Sequence, residues 1–71
     1  MSKEASFFVI YMIHICAEKW QLSPAQTYQK MSAAGCIDGY LVPHYEVLHT
    51  QSSDYVAEDL KEYLRNRGVT V

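Results

Sequence analysis

The sequence has little glycine and proline and lacks the motifs that mark common active sites. Its 71 residues include only three glycines and two prolines, and they contain neither a glycine-rich phosphate loop nor a GxSxG nucleophile motif. A chain of this length also has little material with which to enclose a substrate pocket of roughly several hundred cubic ångströms. We therefore expect a protein that is not an enzyme and that holds no cofactor.

Basic residues are missing from the middle of the chain. No Lys or Arg occurs between Lys30 and Lys61, whereas five acids fall in that stretch: Asp38, Glu46, Asp54, Glu58 and Asp59. Phosphate groups are bound mainly by Lys and Arg, so this part of the chain is unsuited to nucleic acid. A net charge of −2 with this distribution favours a protein partner that carries basic residues.

The cysteines and histidines do not show metal-binding spacing. Cys16 and Cys36 are twenty positions apart and form no CxxC pair, so we interpret them as two reduced thiols, with a disulfide between them as the alternative. His44 and His49 are five positions apart, which places them about 140° from each other around a helix. We predict no metal site, and we expect these two histidines and His14 to hydrogen-bond at the edge of the core.

No hydrophobic run is long enough to cross a membrane. The longest, residues 7–17, has eleven residues and is interrupted by His14, whereas a helix needs about 20 to span the hydrocarbon layer. A cleaved signal peptide is the alternative, but Lys3 is followed at once by Glu4, so the start carries no net basic charge. We expect a cytoplasmic protein without a membrane partner.

Apolar residues at helical spacing predict the elements of the first half. Residues 5–20 have apolar side chains on nearly every face, which is typical of a helix surrounded by others. Ser23 can cap a second helix, with Pro24 in its first position and Gln26 completing a capping box. Gly35 is expected to end this helix.

The second half predicts two further helices. A short helix is expected over residues 43–49, beginning at the proline, with a strand at residues 40–42 as the alternative. Ser52 or Ser53 is expected to cap the last helix, which runs to about Asn66. The whole chain, 1–71, is thus predicted to be one all-α domain, a compact bundle of about four short helices around a central hydrophobic N-terminal helix. Residues 1–5 and 69–71 are expected to fray, with a short terminal strand at 69–71 as the alternative.

Six tyrosines are too many for the core of so small a domain. Tyr gives contact area and tolerates water, so it is common at protein interfaces. Tyr40 and Tyr45 lie close to His44 and His49 in the segment without basic charge, and Tyr55 falls off the apolar stripe of the last helix and is expected to be exposed. We hypothesise that these residues bind a protein partner; amphipathic rings that cover a thin core are the alternative.

Residues 23–48 also have the outline of a helix-turn-helix, with Gly35 at the turn. A recognition helix would have to run through Gly39 and Pro43, and it would bring acids rather than bases to the phosphates. A DNA-binding regulator is therefore an alternative, and a non-catalytic protein-binding module is the leading hypothesis. A homo-oligomeric structural module is a further alternative, because self-association buries apolar surface that a short chain leaves exposed.

Three stretches carry a resemblance to a known family. They are residues 8–14 (Phe-Val-Ile-Tyr-Met-Ile-His), residues 35–40 (Gly-Cys-Ile-Asp-Gly-Tyr) and residues 45–51 (Tyr-Glu-Val-Leu-His-Thr-Gln). Through them nearly the whole chain resembles a family of short bacterial proteins known as domain of unknown function 3791. The resemblance brings no catalytic residues with it.

What the resemblance implies is an intracellular bacterial protein whose gene neighbours one that resembles an ADP-ribosyltransferase toxin. The leading hypothesis then becomes an antitoxin-like inhibitor that covers a surface of the toxin. The family motifs supply the candidate contact surface, and the predicted partner-binding residues are Asp38, Tyr40, His44, Tyr45, His49, Gln51 and Tyr55. As the alternative, the same residues shape the fold, with Asp38 as a cap and residues 49–51 as a helix ending.

Overall fold

A computed structural model describes all 71 residues and consists of helices without any strand. The predicted all-α fold is therefore confirmed. No helix combines the length and the apolarity that crossing a membrane would require. In chain order the elements are α1 (Lys3–Trp20), α2 (Pro24–Ala34), a π-helical segment (Ile37–Leu41), α3 (Tyr45–Leu48) and α4 (Ser53–Asn66).

Local hydrogen bonds fix both ends of α1. The Ser2 hydroxyl accepts from the backbone N–H of Ala5 at 3.1 Å, so the helix begins two residues earlier than the apolar pattern predicts. At the other end Gln21 adopts a left-handed conformation with φ of 58°, and its N–H donates to the carbonyl oxygens of Ala17 and Glu18. A non-glycine residue in this conformation makes a sharp turn into α2.

The predicted capping box of α2 is confirmed. The Ser23 hydroxyl accepts from the Gln26 N–H at 3.1 Å, and the Gln26 side chain accepts from the Ser23 N–H at 3.0 Å. Gly35 ends the helix with φ of 72°, a value that glycine adopts without a steric penalty.

The middle of the chain differs from both sequence interpretations. Residues 40–42 form no strand, because the π-helical segment satisfies its own backbone: the N–H of Val42 donates to the carbonyl of Ile37 at 3.0 Å. Pro43 does not open a helix but stands in the turn before α3, which begins at Tyr45 and is only four residues long. The predicted short helix is therefore present, with a later start.

The last helix follows its prediction, and the alternative of a short terminal strand is wrong. Ser52, one of the two predicted caps, accepts from the Tyr55 N–H at 3.1 Å. After α4, residues 69–71 make no strand, since no extended neighbour is present to pair with them. The Thr70 carbonyl instead accepts from the Lys30 ammonium at 2.9 Å, which holds the tail against α2.

The core lies where α1, α2 and α4 meet. α1 packs against α2, against α4 and against the π-helical segment, so it is the central helix of the bundle. One of its faces, with Phe7, Ile10 and Tyr11, is nevertheless open to solvent, although the apolar pattern predicts burial on nearly every side. The largest side chains that are fully buried in the core are Met12, Met31, Leu41, Leu60 and Leu64.

Candidate functional site

The residues predicted to bind a partner lie in several places. Asp38 faces a groove between α1 and α2. Tyr40 and His44 form one aromatic pair, and Tyr45 and His49 form another. The remaining two, Gln51 and Tyr55, are exposed around the start of α4. The fold therefore does not assemble all the predicted residues into one site.

Tyr40 is half-buried and connects the π-helical segment to α4. Its hydroxyl donates to the Asp59 carboxylate at 2.6 Å, and its ring lies 5.5 Å from that of Tyr63 and 6.0 Å from that of His44, centroid to centroid. Burial, and after it the hydrogen bond to Asp59, raises the pKa of the Tyr40 phenol. The side chain stabilises the fold, and its predicted role in binding stays a prediction.

Tyr45 connects α3 to α1 in a similar way. Its ring stacks on that of His49 with a centroid distance of 4.5 Å, and the ring of Phe8 meets it edge-on at 5.6 Å. The Nδ1 atom of His49 lies 2.8 Å from the Tyr45 carbonyl oxygen. The stacked pair leaves His49 exposed, whereas Tyr45 is half-buried.

Tyr55 behaves as the helical pattern predicts. It is 55% exposed, and it lies at the start of α4 away from the apolar stripe of that helix. Gln51 is exposed in the preceding loop. Both side chains are accessible to a partner, and their proposed role in binding one stays a prediction.

The two cysteines are free and buried thiols. Burial raises the pKa of Cys16 and of Cys36 to about 12, so both stay protonated at neutral pH. No group of three or more His, Cys, Asp or Glu side chains lies close enough together to hold a metal ion. These residues thus provide neither a nucleophile nor a ligand cluster.

The largest concave surface is an open groove of about 580 Å³ that lies between α1, α2 and the start of the π-helical segment. We call it the α1–α2 groove. Its lining is mostly apolar, with Ile10 and Ile13 from α1, Tyr28 from α2, and Ile37 and Asp38 from the π-helical segment. A groove of this volume accommodates one or two side chains of another protein or a small ligand.

Local sequence explains why the groove stays open. Gly35 stands where α2 ends, and a side chain added there would meet no atom within 4 Å, so the space beside the helix end is empty. Tyr28 forms one wall and is 52% exposed, since no element crosses α2 to cover it. Ile10 is about equally exposed on the opposite wall.

Asp38 is the one charged side chain among the residues that line the groove, and it is exposed. Neither of the two ion pairs of the fold, Lys19 with Asp54 and Arg65 with Glu62, uses it. The groove thus offers an apolar surface beside a free carboxylate, which suits a ligand with an apolar part and a cationic group.

Sequence reasoning identified Asp38 and missed the apolar walls. Helical spacing puts Tyr28 on one stripe with the buried residues Thr27, Met31 and Ala34, so the pattern predicts a ring that faces the core, whereas Tyr28 is 52% exposed. A signal for the exposed apolar walls is present in the sequence, because α1 has more apolar residues than its neighbouring helices can cover.

Comparison with known proteins places the chain in a family. The family model described as "Protein of unknown function (DUF3791)" matches residues 7–67, a range that contains most of α1 and every later helix. Neither the curated proteins nor the solved structures gave a match. Since the match covers most of the chain, this protein belongs to the DUF3791 family.

Proposed function

We propose that this chain is a non-catalytic protein-binding module and that the α1–α2 groove is its binding surface. The observation that supports the proposal is the groove itself: Ile10 from α1 and Tyr28 from α2, both more than half exposed, line one mostly apolar groove. Large rigid side chains in a concave apolar surface are typical of interface hot spots.

The charges of the chain indicate what the partner presents. Asp38 at the groove, together with the absence of Lys and Arg between Lys30 and Lys61, favours a basic partner. We expect a partner segment in which an apolar side chain enters the groove while a neighbouring Lys or Arg meets the Asp38 carboxylate. The surrounding acids would speed association and contribute specificity more than affinity.

The proposed partner is an ADP-ribosyltransferase-like toxin encoded beside this chain in a bacterial genome. The support for it is the gene neighbourhood that the family resemblance implies. In this proposal the chain acts in the cytoplasm as an antitoxin-like inhibitor, and it inhibits by occlusion, since a module of 71 residues can cover a substrate site without performing chemistry. The proposed mechanism assigns no catalytic role to any residue of the chain.

A pull-down with matched variants tests the proposal. The tagged chain is mixed with lysate of its native host at moderate salt, and captured proteins are identified by mass spectrometry. Tyr28→Ala and Asp38→Lys alter the groove. Tyr11→Ala is the matched control, because Tyr11 is 52% exposed, like Tyr28, and does not line the groove. Tyr55→Ala tests the separate prediction that the start of α4 contacts the partner. We expect one stoichiometric partner, retained by Tyr11→Ala and lost or strongly reduced with both groove variants.

Other outcomes would change the proposal. Loss of the partner with Tyr55→Ala alone would move the binding surface to the start of α4. Recovery of the chain without any protein partner would contradict the inhibitor role. Retention on DNA that weakens as salt is added would instead support the alternative of a DNA-binding regulator. The logarithm of the binding constant should then fall with the logarithm of the salt concentration at a slope that corresponds to several phosphate contacts.

A further inference from the structure

The α1–α2 groove is bounded by a stripe of residues on each of its two helices. Four residues of α1 that share one helical face line it: Ser6, Val9, Ile10 and Ile13. Three residues with the same kind of spacing line it from α2 and its end: Tyr28, Ser32 and Gly35. From first to last residue each stripe extends over two helical turns, or about 10 Å. The groove therefore runs along both helices.

The two ends of the groove differ in their chemistry. α2 follows α1 after a short turn, so the chain reverses and the end of α2 lies level with the start of α1. That end of the groove has the small residues Ser6 and Gly35, with Asp38 just beyond them. At the opposite end Ile13 and Tyr28 provide large apolar surfaces. The groove is thus apolar at one end and carries a carboxylate at the other.

The carboxylate of Asp38 is available to a cation from outside the chain. It forms no ion pair with any base of the fold, the N-terminal ammonium included. The Lys3 ammonium lies 5.9 Å from the centre of the Phe7 ring, and neither of these two residues lines the groove. A basic group of a partner therefore meets Asp38 without displacing an internal ion pair.

The walls of the groove determine the conformation in which a partner segment can enter. Both walls are helices, whose backbone N–H and C=O groups are paired internally, and the fold has no strand. An extended segment is normally bound through its backbone at the edge of a sheet. In this groove its N–H and C=O groups would be buried without partners, at a cost in binding free energy for each group. A helix pairs its own backbone and presents only side chains.

We infer that the α1–α2 groove binds an amphipathic helix of the partner, with an apolar residue at the Ile13–Tyr28 end and a Lys or Arg two turns away at Asp38. This inference rests on the proposed function and specifies the segment that the partner contributes. A second apolar residue of the same helix, one turn from the first, would contact the exposed Ile10 side chain. One helical face of two turns buries a small area, so we expect an isolated helix to bind with a micromolar dissociation constant.

Selection from a display library tests the spacing and the charge. The library consists of random peptides of about 15 residues, long enough for about four helical turns, and the purified full chain is the target. Enriched peptides should share two apolar residues one turn apart and a Lys or Arg two turns from the first. Selection on Asp38→Lys should replace that base by Asp or Glu. Tyr28→Ala should enrich none of them, whereas the matched control Tyr11→Ala should enrich the same peptides as the wild type.

A proline substitution tests the helical conformation. Proline is placed in the middle of an enriched peptide, at a position that faces away from the groove, so that it breaks a helix without removing a contact. Fluorescence anisotropy should show binding about a hundredfold weaker. Alanine at the same position is the matched control and should leave the dissociation constant nearly unchanged. A peptide bound in an extended conformation would lose little from either substitution.

Four results would overturn the inference. They are a selection that enriches no peptide, enriched peptides that tolerate the outward proline, a preferred base that Asp38→Lys leaves unchanged, and self-association of the purified chain that Tyr28→Ala abolishes. In the last case the occupant of the groove would be a second copy of the chain.

Failure of the helix and failure of the proposed function are separate results. A host protein that is captured through Tyr28 and Asp38, together with peptides that tolerate the proline, would overturn the helical conformation alone. The absence of any host partner in the pull-down would contradict the proposed function, whatever conformation the peptides adopt.

Discussion

Replacing Gly39 by Ala should destabilise the protein, and the cause lies in Tyr63. A Cβ atom at Gly39 would come within 2.9 Å of the Tyr63 hydroxyl oxygen, a distance shorter than van der Waals contact. The Tyr63 ring cannot move away freely, because it packs against the ring of Tyr40 at 5.5 Å and lies 4.4 Å below the Arg67 guanidinium. The added methyl group must therefore displace a packed side chain.

Two opposing effects set the size of the change. Forcing an extra methyl group into a packed site costs about 1 to 3 kcal/mol. Alanine is favoured over glycine in helical backbone by about 0.5 to 1 kcal/mol, and Gly39 does not have the positive φ that would forbid a side chain. We expect Gly39→Ala to lower the free energy of unfolding by about 1 kcal/mol.

The effect of Gly39→Ala on the free energy of unfolding should change sign when the Tyr63 hydroxyl group is removed. Tyr63→Phe deletes the hydroxyl oxygen and leaves the ring in place, so in that background Gly39→Ala should raise the free energy of unfolding by about 0.5 kcal/mol. Urea denaturation of the wild type, both single variants and the double variant, followed by circular dichroism, measures the coupling. An equal loss of stability from Gly39→Ala in both backgrounds would refute the reasoning.

Two further predictions concern titratable groups whose pKa is raised by burial. Because burial raises the pKa of Cys16 and Cys36 to about 12, both thiols should resist a thiol reagent at pH near neutral and react only after unfolding; rapid reaction in the native chain, or none in denaturant, would contradict this. The pKa of Tyr40 is raised above its unfolded value, so its hydrogen bond to Asp59 stabilises the fold below a pH of about 10 and is lost as the pH rises through the folded pKa. An ultraviolet titration should show one tyrosine that ionises later than the others, and this late step should be absent from Tyr40→Phe.

Elements whose signals are local could be predicted from the sequence. The start of α2 depends on Ser23 and Gln26, and its end on Gly35, all within the helix or next to it. The cap of α4 is equally local, at Ser52. Such signals are readable because the hydrogen-bonding partners are three or four residues apart.

The π-helical segment could not be predicted, because its contacts are distant in the chain. It is stabilised by the hydrogen bond from Tyr40 to Asp59 and by the close approach of Gly39 to Tyr63, residues that lie 19 or more positions apart. The candidate site could be predicted only in part, because the exposure of its walls also depends on contacts that are distant in the chain. Asp38 was identified from its motif, whereas the exposure of Tyr28 depends on which elements fail to cover it.

Isoleucine methyl NMR with the captured partner would test the α1–α2 groove most directly. The chain has four isoleucines, of which Ile10, Ile13 and Ile37 line the groove and Ile15 does not. Binding in the groove should shift the methyl signals of those three and leave that of Ile15 nearly unchanged. A complex that forms with the signals of Ile13 and Ile37 unchanged would contradict the account.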